Sequence, residues 1–139
     1  MQKGAYVYSP KEGFGIIINV SSSALQIYFY NKGLTQKTDL GIKEIPSTLV
    51  NFINNYNTGY GYTDFVRNIS YGQYGLTGEV MSGGIKRPTI NIDNMGVIIT
   101  RCSCNKAQPC RHIESLIEEC QVIFKDLEIT KKETYTSMN

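Results

Sequence analysis

Three of the four cysteines and the only histidine of this 139-residue chain fall in one short stretch, Cys102-Ser103-Cys104-Asn105-Lys106-Ala107-Gln108-Pro109-Cys110-Arg111-His112. The pattern is C-x-C, five residues, then C-x-H. It offers three thiolates and one imidazole, the donor set of tetrahedral Zn²⁺, and a structural zinc site closes all four positions with protein. Such a loop constrains the fold more than any other feature of the chain. Thiolates must form and the site does not exist in the unfolded chain, so metal binding becomes folding free energy, on the order of 10 kcal/mol or more. Other uses of the cluster stay open. One is redox or disulfide chemistry, although Cys102 and Cys104 are too close for an easy unstrained bridge. Another is a catalytic Cys110–His112 pair, which leaves Cys102 and Cys104 unexplained and finds no second histidine.

The flanks say how the loop is held. Cys102 and Cys104 converge on one metal only if the chain bends between them. Pro109 favours an extended residue before it. Beyond it Ile113, Leu116, Ile117, Cys120, Ile123 and Phe124 form an apolar stripe at helical spacing, with Glu114, Glu118 and Glu119 off it. This predicts a helix from about Cys110 to about Asp126, with Cys110 and His112 at its first turn. Cys120 lies on the stripe and reads as a small buried hydrophobe rather than a ligand. Residues 89–93 and 96–100 read as a hairpin through Asp93-Asn94-Met95-Gly96, leading into the first ligands. Two ligands then come from a hairpin and two from a helix start.

This constellation resembles the SWIM zinc finger, whose signature is C-x-C, a variable gap and C-x-H. Val97-Ile98-Ile99 before the first cysteine, Pro109 before the third, Arg111 inside C-x-H and Ile113 after the histidine extend the likeness over residues 96–124. The five-residue gap is short for that family, which leaves a small loop for a partner. The resemblance implies one structural Zn²⁺ in a hairpin-plus-helix module that engages nucleic acid or protein. Such modules occur in helicase-related ATPases, transposase-like proteins and recombination factors.

The N-terminal third reads as β-structure: strands at 5–8, 13–20 and 25–30, a turn at Asn31-Lys32-Gly33, a polar strand-like stretch to Asp39 and a short strand at 42–45. Leu25, Ile27 and Phe29 alternate onto one face. Short strands in so few residues suit a small antiparallel barrel. The run Tyr8-Ser9-Pro10, Gly13-Phe14-Gly15-Ile16-Ile17, then Leu25-Gln26-Ile27-Tyr28-Phe29 and Gly33 resembles the SH3/Tudor-like barrels of bacterial transcription-repair factors and helicase tails. An isoleucine stands where that pattern has its second glycine. The likeness implies a protein- or nucleic-acid-docking barrel.

A short helix is expected over residues 46–56, with Pro46 in its first turn and Ser47 or Thr48 as cap. The following Asn-, Tyr- and Gly-rich stretch, with Tyr56, Tyr60, Tyr62, Phe65, Tyr71 and Tyr74 around Arg67, reads as a meander whose tyrosines cap the core. Stacking on unpaired bases is the other use of such aromatics, though one positive charge is a poor electrostatic funnel. The expected class is α+β: a barrel over 1–46, a helix and meander over 47–87, the finger over 88–127 and a polar, frayed tail over 128–139.

Enzyme chemistry finds little support. There is no Walker-type phosphate loop and no paired carboxylate, and His112 is taken as a ligand. A catalytic zinc keeps one position open, which four protein donors would close. Asp39, Glu44 and Asp64 read as isolated solvated acids. No apolar run approaches the roughly 18–20 residues of a membrane span, and no secretory leader is visible, so a cytoplasmic protein is expected. The net charge of +2 argues little for nucleic acid. Locally, Lys86, Arg87, Arg101, Lys106 and Arg111 are opposed only by Asp93, a patch suited to phosphates. The sequence therefore supports a non-enzymatic zinc-finger module that associates with DNA or RNA. The alternative is a protein-interaction module without nucleic-acid contact.

Overall fold

The computed structural model describes residues 1–37, 41–58, 64–104, 106 and 109–138. The chain divides into two compact units, one formed by Met1–Val50 with Val122–Asn139, the other by Asn51–Gln121.

In the first unit, β1 (Tyr6–Ser9), β2 (Gly13–Val20), β3 (Leu25–Phe29), β4 (Gly33–Lys37) and β5 (Lys43–Glu44) form one sheet in the order β4-β3-β2-β1-β5. Every pairing is antiparallel. Strands β2 to β4 lie where their alternation and turn residues predict. Leu25, Ile27 and Phe29 are buried on one face, together with Val7, Ile17 and Ile42. On the opposite face Tyr6 and Phe14 pack edge-on against Phe124, with ring centroids 5.1 and 6.1 Å apart. Strand β2 is thus covered on both sides, which accounts for its continuous apolar run Phe14 to Ile18. Gly15 is required where it stands. A Cβ there would meet Ile27 Cγ2 at 2.8 Å, Phe29 Cδ1 at 2.9 Å and the carbonyl of Tyr28 at 2.9 Å.

The expected barrel does not close. The end strands β4 and β5 pair with β3 and β1 respectively, and not with each other. Strand β5 has only two residues, paired with Val7 and Tyr8 of β1. Thr38, Asp39 and Leu40, including the end of the polar stretch read as a strand, lie outside the described residues.

Helix α1 (Ser47–Asn55) forms as its apolar positions predict, with Leu49 and Ile53 fully buried. Its cap is Pro46 rather than Ser47 or Thr48: the Pro46 carbonyl accepts the amides of Leu49 and Val50. Helix α2 (Arg111–Met138) runs well past Asp126 through the segment expected to fray. Leu127 is fully buried there, Glu128 pairs with Lys131 at 2.8 Å, and Tyr6 Oη donates to Glu128 Oε2 at 2.9 Å. The buried Leu127 and the Glu128–Lys131 pair favour helix beyond Asp126, although the Thr-rich sequence that follows is a modest helix former. Among the described residues, no helix is long and apolar enough to cross a membrane.

The second unit holds β6 (Phe65–Gly72), β7 (Gly75–Met81), β8 (Ile85–Lys86), β9 (Thr89–Ile92) and β10 (Ile98–Arg101) in the order β10-β9-β7-β6, with β8 paired to the end of β7. The β6–β7 ladder is interrupted between Arg67 and Ser70, where Asn68 takes a φ of 55°, a conformation asparagine tolerates better than most residues. Leu76, Val80 and Ile90 are buried from the sheet, and Ile113, Leu116 and Ile117 from α2. Gly78 makes room for Leu116, whose Cδ1 lies 2.9 Å from where a Cβ would be. The carbonyls of Ile53 and Tyr56, at the end of α1, accept hydrogen bonds from Gln121 Nε2 at 2.9 and 2.7 Å, satisfying groups a helix terminus leaves open.

Candidate metal centre

The hairpin that delivers the first two ligands is locked by one carboxylate. Asp93 Oδ1 accepts the amides of Met95 and Val97, each at 2.9 Å, the Asp93 amide donates to the Val97 carbonyl at 3.0 Å, and Gly96 takes a φ of +82°. This is a tight turn built from the residues predicted for it. β10 ends at Arg101, so Cys102 and Cys104 leave the sheet at once. The Arg87 amide donates to Ser103 Oγ at 2.9 Å, tying the C-x-C turn to the chain beyond β8. On the other side Cys110 stands just before α2, its carbonyl accepting the Glu114 amide at 3.1 Å, and His112 lies in the first turn. Cys110 and His112 are buried, while Cys102 and Cys104 are half-buried.

The four ligand atoms lie within 4.8 Å of one another. Cys102 Sγ and Cys110 Sγ are each 3.7 Å from His112 Nδ1. Zn–S bonds of about 2.3 Å and Zn–N bonds of about 2.0–2.1 Å give a tetrahedron with edges of about 3.6–3.8 Å. The two sulfur–nitrogen separations match such an edge, so the four grouped residues could hold one metal ion, zinc among those that suit the donor set. All four cysteines of the chain are free thiols. Burial, with the neighbouring cysteines, pushes the Cys102 thiol up to about 12, whereas the Lys106 amide helps hold Cys104 down at about 6. A divalent cation at this place would bind both as thiolates. Cys120 stands apart: it is 1% exposed and burial pushes its thiol up to about 12, the state of an inert core residue.

The basic residues singled out by the sequence divide. Arg87, Arg101 and Lys106 are exposed, and Lys86 in β8 is half-buried. Arg87 keeps a long ion pair, 3.5 Å, with Glu79, which also accepts from Asn68 at 2.7 Å and Arg67 at 3.2 Å. Arg111 is committed more firmly: its Nε and Nη2 donate to the Asp64 carboxylate at 3.1 and 3.0 Å. Asp64 is accordingly not the isolated acid expected from sequence, and no local signal links two residues this far apart in the chain. Of the aromatics, Tyr71 is half-buried and Tyr74 is 69% exposed, so Tyr74 does not cap the core. Tyr60, Tyr62, Asn105, Ala107 and Gln108 lie outside the described residues.

No protein-family model, no curated protein and no solved structure matches this chain. The assignment of the centre rests on its own geometry.

Proposed function

We propose that the chain is a non-enzymatic zinc-finger module of SWIM type, that its zinc is structural, and that it associates with nucleic acid. The observation that carries the reading is the convergence of Cys102, Cys104, Cys110 and His112 within 4.8 Å, three sulfurs and one nitrogen, a donor set that would close all four positions of a tetrahedral zinc. The metal would join the end of a hairpin to the start of a helix, and the chain's own residues would make the partner contacts. Arg87, Arg101 and Lys106 surround the C-x-C turn with exposed positive charge, which supports attraction to phosphates. The first unit, an open sheet with the sequence likeness of an SH3/Tudor-like barrel, would be a second docking element.

One observation favours the protein-interaction reading. The β9–β10 turn exposes Met95 at 87% and Val97 at 56%, apolar side chains better suited to a protein surface than to a phosphate backbone. Salt separates the two readings. Binding of DNA or RNA through about three or four phosphates gives a slope of log K against log salt of roughly −2 to −4. Absence of salt-sensitive binding to single- or double-stranded DNA or RNA at low salt would leave only the protein partner.

A further inference from the structure

Beside the metal centre, entirely within the second unit, lies a groove of about 410 Å³ whose walls include Tyr74, Arg87, Ile99, Arg101, Cys102 and Ser103. That volume is in the range of ligand sites, about 300–1,000 Å³. Register explains how the wall arises. In the β9–β10 ladder Thr89 pairs with Arg101 and Asn91 with Ile99, while Ile90, between them, is fully buried. Alternation therefore puts Thr89, Asn91, Ile99 and Arg101 together on the face away from the core. The β6–β7 turn supplies Tyr74, and Gly75 brings it close. At Gly75 φ is +85°, and a Cβ would collide with the Ile90 carbonyl and stand 2.7 Å from Asn91 Cβ. Only glycine lets this turn lie against β9.

We propose that this groove holds one unit of a single-stranded nucleic acid, with the base stacked on Tyr74 and the flanking phosphates on Arg87 and Arg101. The proposal rests on the nucleic-acid reading above and gives it a place. Three observations choose this occupant. The Tyr74 ring is 69% exposed although it stands over a groove, so it offers a free stacking face, and base–aromatic stacking is indifferent to sequence. Both charged residues of the groove are arginines and no carboxylate lines it, so its charge complements a polyanion. Among the described residues Arg101 has no ion pair, and the Glu79 partner of Arg87 keeps Asn68 and Arg67 when Arg87 turns away. The apolar floor at Ile99 suits a base edge or sugar better than a freely hydrated anion. A duplex, whose bases are already stacked, cannot use Tyr74 in this way. The groove also explains a use for the metal: Cys102 and Ser103 form one wall, so the finger holds that wall in place.

The test uses the zinc-loaded full chain with dT12 and rU12, a 12-base-pair duplex, and dT12 carrying one 2-aminopurine. Tyr74→Ala is expected to weaken single-strand binding about 5- to 150-fold and to abolish quenching of the 2-aminopurine, while Tyr74→Phe retains both. Arg101→Ala and Arg87→Ala should each make the salt slope shallower by about 0.7. Zinc content and thermal unfolding, measured on every variant, identify any that fails to fold; the arginine substitutions and Tyr74→Phe, all at exposed side chains, keep the question answerable. Wild-type protein that binds the single strands with no quenching, and equally well after Tyr74→Ala, overturns the groove but leaves the nucleic-acid reading standing. Wild-type protein that binds none of these probes at low salt overturns both. Equal preference for dT12 and rU12 is expected, and tighter binding of the duplex than of either also overturns the proposal.

Discussion

The guanidinium of Arg111 donates two hydrogen bonds, at 3.1 and 3.0 Å, to the carboxylate of Asp64. Arg111 stands between two candidate ligands, Cys110 and His112, so this pair ties the helix half of the candidate centre to the residue just before β6. An arginine expected to meet phosphates is thus paired within its own unit. The pair is half-exposed on the arginine side, so Arg111→Gln should cost only about 0.5–1 kcal/mol of stability. It should leave the salt slope of nucleic-acid binding unchanged, in contrast to Arg101→Ala. A slope that falls as much as it does for Arg101 would show that Arg111 leaves Asp64 for the partner.

Zinc content should separate the cysteines. Elemental analysis is expected to give one zinc per chain, lost in Cys104→Ser together with the cooperative unfolding of the second unit. A chelator should have the same effect, because apparent zinc affinities of about 10–16 kcal/mol in small fingers are folding free energy. Cys120→Ala should keep its zinc, since that thiol is buried on the apolar stripe of α2. A metal-free and still folded wild-type protein would refute the metal centre.

Stability should fall in alkali through Tyr6. Burial, then the hydrogen bond and charge of Glu128, raise its phenol well above the usual tyrosine range. A raised group contributes fully below its unfolded pKa of about 10 and loses that contribution as pH rises further, because the unfolded chain ionises first. Chemical unfolding between pH 8 and 11 should therefore steepen above about pH 10 in the wild-type protein. Tyr6→Phe, which forgoes a hydrogen bond worth about 1 kcal/mol, should show a shallower decline. Parallel curves would mean that Tyr6 ionises alike in both states.

Gly15 and Gly72 make a matched pair of probes. Gly15→Ala places a methyl against Ile27, Phe29 and the Tyr28 carbonyl, and backbone cannot withdraw as a side chain can. A loss of about 1–3 kcal/mol is expected. At Gly72 an added methyl would have nothing within 4 Å, and φ is not positive, so Gly72→Ala should stay within about 0.5 kcal/mol of the wild type. Thermal melts in which the two substitutions behave alike would contradict the close packing of β2 on β3.

How far the chain could be read follows from how far its interactions reach along it. The ligand set, the β9–β10 hairpin and the start of α2 were legible because each rests on neighbours: C-x-C and C-x-H spacing, the Asp93 turn, and the 3.6-residue stripe from Ile113 to Phe124. Strands β2 to β4 were legible by alternation and turn glycines. Contacts between distant residues decided the rest. Nothing near Glu128 announces that it accepts a hydrogen bond from Tyr6, 122 residues away in the chain. Nothing near Arg111 announces Asp64. The open sheet, too, is a matter of which distant strands pair, β5 with β1 and β4 with β3. The groove beside the cysteine cluster needs a register between β9 and β10 and a glycine that lets Tyr74 approach. The sequence by itself determined which atoms can bind a metal and which local elements carry them, because both are properties of spacing. Only the tertiary structure decided which charges remain available to a partner, because availability depends on what else folds against them.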